Sequence, residues 1–318
     1  MIRRSLIRFS IFAVALVATA LLVEFLLEVR DVARFMPGQT FAAVGDARIR
    51  YRLLGVEHSG SPVVILAGMN GIIEQADALQ SAVSSEVPSL TYDRAGYGFS
   101  QGSAAHTAEE QAAELASLLR ALKIEKPVVI VSYSASAELA RVFAGRYPEK
   151  TAGIYLIDPP MPEIDHLMPH PGDPRRYYLR WVVSGLLESS VGYIRLKQWL
   201  NSRSPQSLVE QRADAVLARR PHYWALAEEW YATPVSARQT IDAAVPPALP
   251  VEVVYPKRIP EDNVAIAMTK AYSGLVARSS RGKLTELDHV DHSTIIKSGH
   301  VFDQMVERIK KLSQESSS

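Results

Sequence analysis

Ser132-Tyr133-Ser134-Ala135-Ser136 is the stretch of this chain best suited to covalent chemistry. An apolar run, Pro127 to Val131, leads into it, and a helix-forming stretch, Glu138 to Tyr147, leads out. A strand, a five-residue turn about a central serine and then a helix lift one hydroxyl clear of the backbone. Such a turn is so tight that the positions two before and two after the nucleophile carry almost no side chain. Serine is small enough for both, although glycine is commoner. The first turn of the helix then aims N–H groups at the negative charge that an attacking hydroxyl creates. The chemistry expected is nucleophilic attack by Ser134. The plainer alternative is a strand–loop–helix joint that happens to be rich in serine.

The elements that would position this serine follow from hydrophobic patterning. Thr40 to Val44 and Ala47 to Leu54 read as two strands joined by a Gly45-Asp46 turn. Pro62 to Ala67 is fully apolar, as in a sheet covered on both faces. A helix from about Ile72 to Val83 and a strand from Ser89 to Asp93 follow. Thr107 with Glu110 forms a capping box that opens a helix running to Leu122. Next come the strand ending at Ser132, its helix, and a strand from Gly153 to Ile157. Strands alternating with helices of this length imply crossover units and a mainly parallel sheet. From Pro159 to about Leu249 no strand is expected, and the segment reads as a helical insertion. Val251 to Tyr255 and Ser293 to Lys297 are then expected as strands. Val301, Met305, Ile309 and Leu312 mark one face of a closing helix.

Length and charge narrow the function. A chain of 318 residues can bury a full core. Its net charge of +1, with no basic block beyond the N-terminus, argues against nucleic acid as the main partner. Having no cysteine, it can use neither disulfides nor thiolate catalysis nor cysteine-ligated zinc. Near the N-terminus, Arg3, Arg4 and Arg8 precede an apolar stretch from Phe9 to Leu27. At about 1.5 Å per residue this reaches roughly 28 Å, the thickness of a bilayer's hydrocarbon core. Residues 1–30 are therefore expected to be a single-pass membrane anchor, with the remainder on the extracytoplasmic side. The rivals are a signal peptide cleaved near Ala18-Thr19-Ala20, giving a secreted or periplasmic protein, and a packing helix of a soluble protein. Glu24 is expected near the outer interface, with its carboxylate in reach of water.

Several motifs in order make the sequence similar to the α/β-hydrolase family. They are Tyr51-Arg-Leu-Leu-Gly55, Ala67-Gly-Met-Asn-Gly71, Asp93-Arg-Ala-Gly-Tyr-Gly-Phe-Ser100, the serine turn, Ile157-Asp158-Pro159 and Ser298-Gly-His300. The resemblance covers roughly residues 40–158 and 249–314, and Asp93 to Ser100 is its most specific part. It implies a mostly parallel eight-stranded sheet flanked by helices. The core would comprise residues 36–158 and 249–318, with residues 159–248 inserted as a helical cap. It also implies that Ser134 forms an acyl-enzyme, since relatives that open epoxides or displace halide place an aspartate there.

The family's chain order of serine, acid, histidine calls for a C-terminal histidine as general base. His289, His292 and His300 are the candidates, and His300 is preferred because it precedes the last helix. For the acid, the usual pattern after the seventh strand is absent. Asp158 is preferred, with Asp262 and then Glu261 as alternatives. Its role is to fix the imidazole tautomer and stabilise the imidazolium. By the same resemblance the oxyanion donors are the backbone N–H groups of Met69 and Ala135. Asp288, His289, Asp291 and His292 are read as solvated residues rather than a metal site, and no cofactor is implied. All four tryptophans, Trp181, Trp199, Trp224 and Trp230, fall in the cap with five tyrosines (Tyr177, Tyr178, Tyr193, Tyr223 and Tyr231), most of them expected to pack its core beside an apolar pocket. Arg175, Arg176 and Arg180 are read as a solvated face. The expected function is cleavage of an ester bond in a small-to-medium apolar substrate. An aminopeptidase or carbon–carbon bond hydrolase of the same fold, or a decayed hydrolase that only binds, remain as alternatives.

Overall fold

In the computed structural model, residues 2–102, 106–167, 174–202, 206–258, 263–297 and 299–316 are described. The chain opens with helix α1 (Ile2–Phe35) and a hairpin of β1 (Thr40–Val44) and β2 (Ala47–Leu54). Then come β3 (Val63–Leu66), α2 (Asp77–Val83), β4 (Ser89–Tyr92), α3 (Ala108–Ala121), β5 (Val128–Tyr133), α4 (Ser136–Arg146) and β6 (Thr151–Ile157). Four helices follow without a strand among the described residues: α5 (Pro174–Ser190), α6 (Tyr193–Asn201), α7 (Leu208–Leu217) and α8 (Arg220–Asp242). The chain closes with β7 (Val251–Pro256), α9 (Asn263–Val276), β8 (Lys283–Leu287) and α10 (His300–Glu315).

The strands form one sheet in the order β1-β2-β4-β3-β5-β6-β7-β8. β2 runs antiparallel to β1 and β4, and every other pairing is parallel. This is the α/β-hydrolase fold with a helical insertion. The central strands are apolar on both sides because both faces are covered. Leu90, Ile130, Leu156 and Val253 pack under α3, α4 and α9; Val63, Val129, Tyr155 and Val254 pack under α2 and α10. The parallel pairing brings the carboxyl ends of β3, β5, β6, β7 and β8 to one edge, where open sheets of this kind place ligands. The Thr107–Glu110 box forms as expected, with Glu110 N–H donating to Thr107 Oγ1 and Thr107 N–H to Glu110 Oε2.

Two departures matter for the site. Residues 293–297 are not a strand; the eighth strand is Lys283–Leu287, and 288–297 form a loop that follows it. Asp291 explains this. Its Oδ1 accepts the N–H groups of Ser293 and Thr294 at 2.7 and 2.9 Å, so the backbone groups a ladder would need are already taken. The apolar signal of that run has another use, for Ile295 is fully buried in the core beneath α10. The second departure is α1, which does not end at the apolar stretch. It continues to Phe35, which packs with Ile72, Phe99 and Val216. Glu24 is buried rather than in water, held by Arg195 of α6 at 2.8 and 2.9 Å.

Candidate active site

Ser134 sits between β5 and α4 with φ of +56°, a left-handed conformation that costs a non-glycine residue about 1–2 kcal/mol. Its N–H is tied to Ile157 O of the adjacent strand at 2.9 Å. Ser136 contributes more than small size. Its Oγ accepts the Tyr133 N–H at 3.1 Å and lies 2.9 Å from Tyr133 O, stitching the turn across Ser134. Ala135 is the N-cap of α4; behind it Ala137 N–H donates to Ser134 O at 3.0 Å and Glu138 N–H to Ala135 O at 3.1 Å.

At the end of β6, Asp158 also adopts positive φ, +42°, and is buried. One carboxylate oxygen, Oδ2, is 2.6 Å from His292 Nδ1; the other, Oδ1, accepts Arg258 Nη2 at 2.7 Å and Tyr272 O–H at 3.2 Å. The His292 ring stacks on Tyr133, the residue before Ser134, with centroids 4.9 Å apart and planes 23° apart. Tyr133 O–H in turn donates to His292 O at 2.5 Å. Asp158 thus fixes Nδ1 as the protonated nitrogen and leaves Nε2 as an acceptor.

The structure brings His292, not His300, to Asp158. His300 is exposed at the start of α10, where its Nε2 meets Gln304 Nε2 at 3.0 Å. His289 lies on the same loop as His292, with φ of +61°. Asp262 and Glu261 lie outside the described residues. The acid–histidine cluster read from 288–292 is divided among other tasks: Asp288 pairs with Lys257 at 3.1 Å, Asp291 holds its own turn, and His292 faces Asp158.

Met69 lies in the turn after β3, which touches the elbow. A Cβ on Gly68 would come 3.1 Å from Tyr133 O and 3.3 Å from Ser134 Cβ, so glycine lets the two turns approach without crowding. Gly68 C=O accepts Gly71 N–H at 3.0 Å and Arg94 Nη2 at 3.4 Å. A trans peptide points its N–H opposite its C=O, so these two bonds also set the direction of the Met69 N–H. Arg94 Nη2 is itself clamped by Glu229 of α8 at 2.8 and 3.1 Å, and Tyr97 O–H donates to the same carboxylate. The insertion thereby reaches the turn after β3 through a buried ion pair. Glu229→Gln is expected to lower kcat by roughly tenfold to a hundredfold with little change in KM, less than deleting an oxyanion donor. Steady-state kinetics, with thermal unfolding as a control, measure this; an unchanged kcat would show that the turn holds itself.

A second tie runs through His222 of α8, which has no exposed surface. Its Nε2 is 2.7 Å from Asn70 Oδ1, and its Nδ1 accepts the Gly98 N–H at 3.4 Å, which makes Nε2 the protonated nitrogen. Burial first, then the charges of Arg219 and Arg94, push its pKa down from 6.5 to about 3. The unfolded chain takes up a proton below its ordinary pKa while the folded chain does not. This contribution to stability is therefore complete above pH 6.5 and is lost as pH falls from there towards 3. Between pH 7 and 5, His222→Gln is expected to shrink the stability loss by about 2 kcal/mol, as read by urea unfolding at the two pH values. Equal losses in the two proteins would contradict it.

Among the described residues, the aromatics of the insertion are not mainly core. Trp181, Trp199 and Trp224 are exposed, as are Tyr193 and Tyr231; Trp230 is half-buried beside Met69, Tyr97 and Val182. Arg180 is exposed, and the side chains of Arg175, Arg176, Tyr177 and Tyr178 lie outside the described residues. A cavity of about 610 Å³ lies between α5 and α8, lined by Leu187, Ser190, Trp224 and Ala225; no residue of the serine elbow lines it. Arg94, His222, Glu229 and Arg258 were not singled out by sequence reasoning. Arg94 alone carried a signal, inside the Asp93–Ser100 motif; the other three gain meaning only from partners more than 90 residues away.

A profile of the alpha/beta hydrolase family matches residues 63–307. Among curated proteins, the uncharacterized protein YqjL of Bacillus subtilis (strain 168) is 36% identical over 102 residues, 32% of this chain and 40% of that protein. The chain thus matches well under two thirds of that relative's length. Among solved structures, the Cif epoxide hydrolase from Acinetobacter nosocomialis superposes with a TM-score of 0.67 at 12% identity, covering 91% of this chain and 96% of that one. A thermophilic esterase from Thermogutta terrifontis gives 0.61 at 16% identity, covering 87% and 99%. At these identities the two neighbours speak for the fold alone. With the family profile spanning most of the sequence, the chain belongs to the alpha/beta hydrolase family.

Proposed function

We propose that this protein is a serine hydrolase that cleaves the ester bond of a small-to-medium apolar substrate. Ser134 is the nucleophile, His292 the general base in the place expected of His300, and Asp158 the acid that orients it. The observation carrying this reading is Asp158 Oδ2 on His292 Nδ1 at 2.6 Å, with that imidazole stacked against the residue preceding a left-handed serine. Ser134 Oγ attacks the acyl carbon as His292 Nε2 takes its proton. The Met69 and Ala135 N–H groups hold the oxyanion. The imidazolium gives the proton to the departing alcohol, and water, deprotonated by the same nitrogen, releases the acid and regenerates the serine.

Both an esterase and an epoxide hydrolase stand among the structural neighbours. The nucleophile position separates the two readings, because epoxide opening in this family uses an aspartate there, and Ser134 favours acyl transfer. A series of p-nitrophenyl esters from acetate to octanoate, run beside styrene oxide, tests this. Ester turnover that disappears in Ser134→Ala, with no epoxide opening, is expected; epoxide turnover, or no ester turnover, would sink it.

We further read α1 as an uncleaved anchor. Among the described residues it is one helix long and apolar enough to cross a membrane, exposed along most of its apolar length. Glu24, Glu28 and Asp31 at its far end pair with Arg195 and Arg219 of the insertion, which supports retention of the helix with the folded part.

A further inference from the structure

Two neighbouring cap helices carry apolar side chains in water at helical spacing. On α5 these are Leu179, Val183 and Leu187, four residues apart; on α6 they are Tyr193, Leu196 and Trp199, three apart. Leu187 is 65% exposed and Trp199 73%. Residues at such spacing share one helix face, and a face of this kind exposed on two adjacent helices marks a contact surface.

What covers this face is indicated by its join to α1. α5 and α6 meet at Gly192, whose φ is +74°. A Cβ there would lie 3.0 Å from Glu24 Oε2, so the helix joint rests on that carboxylate. Glu24 is the first buried residue along α1 and lies three residues before the apolar stretch ends at Leu27. Arg195, one turn into α6, grips both Glu24 and Asp31. The α5–α6 corner is therefore fixed beside the outer end of the apolar stretch, at the level where a spanning helix leaves the hydrocarbon. Tryptophan and tyrosine are the side chains that favour that interface.

We propose that the α5–α6 face of the cap seats on the outer surface of the bilayer that α1 crosses. This rests on reading α1 as an uncleaved anchor. The cavity between α5 and α8 shares Leu187 with the seated face, so it adjoins the lipid surface rather than bulk water. The occupant is the lipid itself: the face is positioned by the one segment of the described chain apolar enough to span a membrane.

Because the chain has no cysteine, single labels are clean reporters. Full-length Trp199→Cys and Leu187→Cys would each carry a polarity-sensitive fluorophore in phosphatidylcholine vesicles containing headgroup-region nitroxide lipid. Lys126→Cys, exposed just before β5 and so at the opposite edge of the sheet from the cap, is the control. The labels at 199 and 187 are expected to shift to the blue and lose most of their emission to the nitroxide, and the label at 126 to lose little. Equal, weak quenching at all three positions, in protein that carbonate does not extract, would overturn the seating alone. Release by carbonate of an N-terminally trimmed chain would overturn the anchor and the seating together. Hydrogen exchange of residues 179–200 in the unsubstituted chain covers a label that disturbs folding: exchange should slow on moving from detergent-free amphipol to vesicles, and an unchanged rate counts against the proposal.

Discussion

His292→Ala is expected to lose roughly 10,000- to 1,000,000-fold in kcat, about as much as Ser134→Ala, because members of such a unit fail together. His300→Ala is expected to stay near the parent rate. The difference follows from position. His292 has one nitrogen on a buried carboxylate and its ring on Tyr133, whereas the His300 side chain contacts only Gln304 on its own helix among the bonds described. Steady-state rates on p-nitrophenyl butyrate measure all three variants. A His300→Ala enzyme as damaged as His292→Ala would remove the assignment.

Asp158→Asn is expected to lower kcat by about 10,000-fold while leaving the fold intact. The chemistry of the two carboxylate oxygens makes this specific. Arg258 and Tyr272 both donate to the Oδ1 position, so they would hold the asparagine carbonyl oxygen there. The amide NH₂ would then face His292 Nδ1 and donate to it, forcing the ring proton onto Nε2. An imidazole protonated at Nε2 cannot accept the serine proton. Loss of kcat with an unchanged KM and an unchanged far-ultraviolet circular dichroism spectrum is the expected result; an Asp158→Asn enzyme within tenfold of the parent would contradict it.

The serine elbow was legible because its information is local. An apolar strand, small residues and a helix lie within about twenty consecutive positions, and the strained serine is at their centre. The order of strands and the helical insertion were legible for the same reason, since each rests on the period of its own segment. On the proposed reading the base is His292 and not His300, and the difference comes from one misread run. Ser293 to Lys297 has the β-branched composition of a strand, but Asp291 captures its N–H groups. With the eighth strand at Lys283–Leu287, the loop after it covers 288–297, which carries His292, the base we propose. That true strand is at the sheet's edge and reads Lys-Leu-Thr-Glu-Leu, too polar to stand out. The surroundings of Glu24, expected to be water, were misread for a different reason. A carboxylate near the end of an apolar helix looks solvated until Arg195, 171 positions later, is folded onto it.

The most direct measurement is peptide mapping of the adduct formed with a fluorophosphonate probe, with labelling rates for each variant. The expected adduct is on Ser134, formed at the parent rate in His300→Ala and far more slowly in His292→Ala and Asp158→Asn. An adduct on Ser132 or Ser136, or full-rate labelling in His292→Ala, would contradict the account.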